Sequence, residues 1–501
     1  MPDVPFNPES SPPLAEPGSN CWKVTGTDRL TVIVDACDYF RILRRAMLQA
    51  EKRIMIVGWD FDTRIDLDPD DDEAMDLGHF MLALAKRKPE LEIRILKWDF
   101  GALKSLFRGS HLWMLLRWMW TRQIRFKFDA KHPPGCSHHQ KIVVIDNCLA
   151  VCGGIDMTSD RWDTRDHKDD DPRRVEPNGK VYGPWHDATA LLNGDAAAAL
   201  DELCRERWKV ATGETMEPVA GREDCWVDDF EPHFRDVNVA LSRTRAPYED
   251  EPEIREIEQL YIDMIASAER FIYSENQYFT SPKIAAAIVD RLAQRPDLEI
   301  VMVQPLTADG WIEQVAMDGT RVRLCRMIGE SDPDDRFRIY YPQTQGGTPI
   351  YVHAKVMIVD DSMMRIGSSN MNNRSLGLDS ECDVLVEASQ AGNAGLASET
   401  IRAIREGLLA EHLGMSRDEI GESLGQTESM HATIVGFARD GRCLKPITME
   451  EPEGFEKFVA DKELLDPECA DEMFEPLTRR GLVRSFWANL RSRHGRNRPR
   501  H

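Results

Sequence analysis

The sequence predicts a protein of two pseudo-twofold-related α/β domains, each a mixed, mostly parallel β-sheet flanked by helices, with the functional site at their interface. Three observations carry this expectation. The stretch HQKIVVIDNCLAVCGGID starting at His139 returns as HAKVMIVDDSMMRIGSSN starting at His353. Upstream of each copy the same order of helix, strand, helix and strand recurs, and LAKRKPELEI in the first half reads like LAQRPDLEI in the second. A chain of 501 residues has room for two domains, each with its own core.

Taken in order, residues 1–20 are rich in proline and serine and predict a flexible arm. The first domain is expected over 21–215, a linker over 216–252, the second domain over 253–415, and a C-terminal extension with a basic tail over 416–501. In the first half, Phe40, Leu43, Met47 and Ala50 recur at helical spacing and predict a helix over 38–53, leading into a strand over 54–61. A helix over 74–88, stopped by Pro89, and a strand over 91–96 follow. In the second half, Ile257, Leu260, Met264 and Ala268 mark a helix, with a strand over 271–279, a helix over 284–294 and a strand over 298–303. Helices over 195–208 and 398–413 close the two halves.

Several connecting stretches carry their own expectations. HLWMLLRWMW, from His111, suits either the water–lipid interface, with Trp113 and Trp118 as contacts, or a helix packed on the core. The acidic run between Asp66 and Asp76 reads as a solvated loop in preference to a cation site, and Asp169 to Asp171 as solvated surface. The long charged loop 161–185 is a candidate lid. Arginines beyond 479 suit an anionic headgroup or a solubilising tail.

A formal net charge of −23 argues against a nucleic-acid partner, which is usually met by a basic face, but is compatible with a zwitterionic lipid surface. The eleven cysteines form no CxxC pair, so neither a zinc site nor a disulfide framework is expected. Residues 1–20 lack the basic start and apolar core of a secretory signal, so no leader is expected there, and no apolar run approaches the ~20 residues of a membrane span. A cytoplasmic protein with peripheral membrane association is the expectation, and export without a cleaved signal stays open.

In each copy of the repeated motif, His and Lys stand at i and i+2, which in a strand puts both side chains on one face. The apolar runs Ile142 to Ile145 and Val356 to Val359 then read as buried strands. Asp146 and Asp360, which complete the HxKxxxxD spacing, end those strands and suit anchoring a turn more than touching a substrate. Gly153-Gly154 falls in step with Gly367-Ser368. This doubled motif, together with RWDT at Arg161, PWHD at Pro184, IYSENQYF at Ile272, NMNNRSLGLDSE at Asn370 and EHLG at Glu411, resembles the phospholipase D superfamily with its paired HKD motifs, in its true phospholipase D branch. The resemblance can be followed over roughly residues 20–415.

The resemblance implies a phosphodiesterase that hydrolyses the distal phosphodiester of glycerophospholipids such as phosphatidylcholine or phosphatidylethanolamine. The products are phosphatidic acid and free headgroup, formed through a phosphohistidine, with transphosphatidylation as a side activity. Lys141 and Lys355, with donors from Asn370 and nearby backbone, can hold the non-bridging oxygens, a task that requires no metal ion or other cofactor. One imidazole attacks while the other protonates the leaving oxygen, which asks that their surroundings push the two pKa values apart. Spacing does not say which does which; the resemblance implies His139 as nucleophile and His353 as acid. It also implies Asp187 and Glu381 as the carboxylates behind the imidazoles. Asp156 stands where the second copy has Asn370, and Gly154 where it has Ser368, so the expected phosphate site is asymmetric, and which of the last pair contacts substrate is open. The rival readings are a cardiolipin synthase-type phosphatidyltransferase, a nucleic-acid phosphodiesterase, which the acidic charge opposes, and an inactive lipid-binding scaffold, which the intact motifs oppose.

Overall fold

The computed structural model describes residues 12–448 apart from 72–74, 99–109, 223, 229, 308–310, 394 and 396. In chain order the strands of the first half are β1 (Lys23–Val34), β2 (Arg53–Gly58), β3 (Glu92–Trp98), β4 (Ile124–Asp129), β5 (Ile142–Ile145), β6 (Leu149–Gly153), β7 (Trp185–His186) and β8 (Ala188–Asn193). Those of the second are β9 (Phe234–Arg245), β10 (Ile254–Arg255), β11 (Phe271–Glu275), β12 (Glu299–Val303), β13 (Phe337–Gln343), β14 (Tyr351–Val352), β15 (Val356–Val359), β16 (Met363–Gly367), β17 (Glu381–Glu387) and β18 (Cys443–Pro446).

All but β7 and β14 join one sheet in the order β18-β13-β12-β11-β15-β16-β17-β9-β1-β8-β6-β5-β2-β3-β4, with β10 against β9. Reading outward from the antiparallel β9–β1 pair, the two arms match strand for strand as far as β13 and β4, with β18 added beyond β13, which is the pseudo-twofold written into the hydrogen-bond ladder. The expectation of two mostly parallel sheets is corrected here. The halves share one mixed sheet, and only the outer β2–β3–β4 and β11–β12–β13 ladders within it are parallel. The inner strands are antiparallel because β5–β6 and β15–β16 are tight hairpins, which parallel strands cannot be. The stretch expected as a linker over 216–252 contributes β9, a central strand buried between β1 and β17.

The helices and strands expected from periodicity form close to their places, at Ala36–Gln49, Leu77–Arg87, Gly194–Thr212, Glu256–Ser267, Pro282–Gln294 and Ala397–Leu413. Strand β11 stops at Glu275, short of Phe279, since Asn276 and Gln277 leave the sheet for side-chain partners. The arm is anchored from residue 14 on, where the Leu14 and Ala15 N–H groups donate to Glu387 at 2.7 and 3.0 Å. Residues 1–11, and the basic tail, lie outside the described residues. The loop 161–185 is tied down: Asp163 accepts from His167 (2.9 Å) and Arg174 (3.1 Å), and Asp171, expected on the surface, is buried against Arg173. On the helix Ser110–Met119, Trp118 is buried with its Nε1 donating to the Gly78 carbonyl at 3.1 Å. Trp118 is therefore core, while Trp113, Met119 and Trp120 stand out at 72%, 64% and 83% exposure.

Asp146 and Asp360 close equivalent hairpins. Each is followed by a second residue with positive φ, and asparagine and aspartate tolerate that region better than other side chains. The Asp146 carboxylate accepts from the N–H groups of Glu51, Lys52 and Arg53 at 2.7, 2.7 and 2.8 Å. Asp360 does the same for Glu269, Arg270 and Phe271 at 2.5, 2.8 and 2.8 Å. Both sit at the strand ends remote from the histidines, so they anchor the chain and are not catalytic groups. Asp146→Ala strands three backbone donors and is expected to lower unfolding stability by about 2–4 kcal/mol in urea titrations.

Candidate active site

Each motif histidine is held by the opposite half of the chain. The His139 N–H donates to the Ser380 carbonyl at 2.9 Å, and His139 Nδ1 meets Glu381 Oε1 and Oε2 at 2.9 and 3.1 Å. His353 N–H donates to the His186 carbonyl at 2.7 Å, and His353 Nδ1 meets Asp187 Oδ2 at 2.7 Å. These pairs are separated by 242 and 166 residues in sequence. The exchange follows from the pseudo-twofold: Glu381 opens β17, Asp187 immediately precedes β8, and these strands occupy matching places beside β9 and β1. The two-stranded β7–β14 ladder, pairing His186 with Val352, fixes the second crossing.

Gly154 and Ser368, the candidates for substrate contact, sit behind these carboxylates. A Cβ at Gly154 would fall 2.1 Å from Asp187 Oδ1, so only glycine admits that carboxyl group. In the other half, the Ser368 hydroxyl donates to Glu381 Oε2, and Ser375 Oγ donates to Glu381 Oε1 at 2.7 Å. The difference between the copies is thus a difference in how Asp187 and Glu381 are seated.

The lysines are buried on the same centre. Lys141 Nζ lies 3.3 Å from Asp156 Oδ2 and donates to the His139 carbonyl at 2.9 Å. Lys355 Nζ donates to the His353 carbonyl and to Gln277 Oε1, the latter at 3.3 Å, and Asn370 Nδ2 approaches the same Oε1 at 3.5 Å. Asp156 therefore faces one lysine with a carboxylate, whereas the hydrogen-bond partners of Lys355 among the described residues are neutral. Burial pushes the Lys355 ammonium down to about 7; Lys141 adds to this, and Asp187 and Glu381 oppose it.

Burial also presses both imidazoles well below the usual histidine range. Lys141 and Lys355 lower His139 further, and Lys355, Arg161 and Lys141 lower His353. Both histidines go down because both share one buried, cationic centre. Behind them burial raises the Glu381 carboxyl to about 8, with Lys141 opposing, and raises Asp187, with Lys355 opposing.

Four residues absent from the sequence expectation help to build the site. Gln277 links Lys355 to Asn370, Ser375 seats Glu381, Trp59 lies edge-on to His139 at 6.0 Å, and the Arg161 guanidinium covers Trp185 at 4.2 Å, beside His353. Gln277 and Arg161 fall within IYSENQYF and RWDT, so the signal was present without a contact to interpret it. As pH rises from 6 to 9, Lys355 loses its charge near 7 and Glu381 gains one near 8. Both changes disfavour an anion, so sulfate affinity, followed by protection of the site in competition or calorimetry, is expected to fall across that window.

Residues 261–400 match the family described as "Cardiolipin synthase, PLD-like domain". Among curated proteins, the chain is similar to Phospholipase D A of Dictyostelium discoideum, 26% identical with 76% of this chain and 35% of that protein covered. It is also similar to Phospholipase D delta of Arabidopsis thaliana, 25% identical with 65% of this chain and 52% of that protein covered. The chain thus spans about a third to a half of the length of these relatives. Its fold is shared with phosphatidylserine synthase of Haemophilus influenzae Rd KW20, at a TM-score of 0.52 and 12% identity, over 81% of this chain and 94% of that one. The duplicated HxK strands, the mirrored sheet arms and these relatives agree in making the chain similar to the phospholipase D superfamily.

Proposed function

We propose that the protein is a phospholipase D that cleaves the headgroup side of the glycerophospholipid phosphodiester. One observation carries the reading: two imidazoles, each backed by a carboxylate from the other half, share a centre with two buried lysines. His139 Nε2 attacks phosphorus while His353 gives its proton to the headgroup oxygen, so the P–N bond forms as the P–O bond breaks. Lys141, Lys355 and Asn370 hold the non-bridging oxygens. An anionic phosphodiester between the lysines offsets the charge that keeps His353 neutral, and so favours the protonated acid where it is needed. In the second half-reaction His353 takes a proton from water, the hydroxide bonds to phosphorus, and His139 leaves as phosphatidic acid forms. A primary alcohol in place of water gives the phosphatidyl alcohol.

A second reading, phosphatidyl transfer of the cardiolipin synthase type, is favoured by the match over residues 261–400. Mass spectrometry of products from liposomes of phosphatidylcholine, phosphatidylethanolamine and phosphatidylglycerol separates the two, with and without ethanol. Phosphatidic acid, converted to phosphatidylethanol by added ethanol, supports the hydrolase. Cardiolipin formed from phosphatidylglycerol supports the synthase, and no new lipid at all contradicts both.

No helix among the described residues is long and apolar enough to cross a membrane. The exposed Trp113, Met119 and Trp120 supply an aromatic docking edge for peripheral contact. Trp113→Ala with Trp120→Ala is expected to weaken vesicle sedimentation about tenfold while sparing turnover of a short-chain soluble substrate. Equal loss on both substrates contradicts the docking role.

A further inference from the structure

Behind the reacting centre lies a group of buried titratable side chains that the proposed reaction does not use. Asp35 stands between β1 and the helix Ala36–Gln49, His167 is on the loop after RWDT, and His186 is in β7. Glu411 comes from the helix Ala397–Leu413 of the other half. All four are buried, and one donor atom from each lies within 4.8 Å of the others.

The nearest approaches are His186 Nδ1 to Glu411 Oε1 at 2.9 Å and to Asp35 Oδ1 at 3.3 Å. His167 Nε2 lies 3.1 Å from Glu411 Oε1 and 3.4 Å from Asp35 Oδ2. A tetrahedral ion with bonds of about 2.0–2.1 Å has ligand-to-ligand edges of about 3.3 Å. The cluster is therefore already close to the size of a coordination sphere.

We infer that Asp35, His167, His186 and Glu411 form a binding site for one divalent transition-metal ion, zinc by donor set, which clamps the two halves together behind Asp187. Two further features point the same way. Each imidazole turns one nitrogen to the cluster and has the other held by a separate carboxylate: His167 Nδ1 by Asp163 Oδ2 at 2.9 Å, and His186 Nε2 by Glu275 Oε2 at 2.8 Å. That carboxylate–histidine–metal arrangement fixes the tautomer and raises the ligand's basicity. Moreover, Asp35 is 1% exposed and its Oδ2 has no hydrogen-bond donor among the described residues, although it is aimed into the cluster.

Two neutral imidazoles and two carboxylates balance a +2 ion, and two nitrogen donors favour zinc over calcium or magnesium, which prefer oxygen alone. Arg165 and Glu411 lie on the wall of a cleft of about 1000 Å³ that offers an entry path. The clamp adjoins the proposed chemistry: Asp35 N–H donates to the Asp187 carbonyl at 2.8 Å, and Asp187 N–H to Asp35 Oδ1 at 3.1 Å. The ion plays no part in phosphoryl transfer, so the inference stands or falls apart from the proposed activity. Binding displaces the protons that would otherwise fill the His–carboxylate contacts.

The test is metal content of the full chain by inductively coupled plasma mass spectrometry, after dialysis against zinc sulfate and gel filtration, together with thermal unfolding with and without zinc. The expected result is one zinc per chain and an unfolding midpoint higher by at least about 3 °C. Asp35→Asn and His167→Gln are each expected to reduce zinc to near zero, and Asp70→Asn, at an exposed acid, to leave it at one. Less than about 0.1 zinc per wild-type chain with no shift in midpoint overturns the inference and leaves protons as the occupants. Undiminished zinc in folded Asp35→Asn and His167→Gln overturns it as well. Should those variants not fold, X-ray absorption of the wild-type zinc protein decides, with nitrogen and oxygen neighbours expected and sulfur neighbours overturning the assignment.

Discussion

His139→Ala is expected to lower turnover of phosphatidylcholine by about 10⁴-fold or more. The imidazole is the proposed nucleophile, and no neighbouring group can replace it: Lys141 is tied to Asp156, and Lys355 to Gln277 and the His353 carbonyl. The loss should appear in kcat, with vesicle binding unchanged, because the docking edge at Trp113 and Trp120 belongs to a different element. Steady-state release of headgroup, read beside vesicle sedimentation, checks both parts. Retained turnover removes His139 from the chemistry.

Glu381→Gln and Asp187→Asn are expected to slow turnover by between about 10² and 10⁴-fold, since an amide behind an imidazole leaves it in the wrong tautomer and withdraws support for the cation. The crossing makes the two losses differ in kind. Glu381 holds His139 and Asp187 holds His353, although in sequence each carboxylate lies in the same half as the other histidine. Glu381→Gln should therefore suppress formation of the covalent intermediate, while Asp187→Asn should slow protonation of the leaving group and breakdown of the intermediate. With p-nitrophenol as leaving group, which needs no acid, Asp187→Asn keeps a fast first turnover and Glu381→Gln does not. Identical pre-steady-state traces for the two variants contradict the crossed pairing.

Much of this was legible in the sequence. The doubled HxK strands, their apolar continuations and the repeated helix–strand units reflect local periodicity and duplication, which a single sequence displays directly. The sharing of one sheet was not. It depends on β9, whose FRDVNVALSRTR mixes four arginine or aspartate side chains among its apolar ones and reads as a polar connection until β1 and β17 cover it. Nor could spacing assign Glu381 to His139, because the contact arises only when β17 and β8 take matching places across the pseudo-twofold. Gly154 and Ser368 lie in the motif but serve its carboxylates, a role visible only once Asp187 and Glu381 are in place. Trp118 and Trp113 share a composition that suits membranes, and it takes the Trp118 contact with Gly78 to sort core from surface.

The central claim is that two imidazoles from distant parts of the chain act in turn on one phosphorus atom. Rapid-quench analysis of His353→Ala with a phosphatidyl p-nitrophenol substrate tests it most directly. The account predicts a burst of one p-nitrophenol per chain, followed by slow turnover, with the phosphatidyl adduct mapped by mass spectrometry to His139. Steady release without a burst, or an adduct on any other residue, contradicts it.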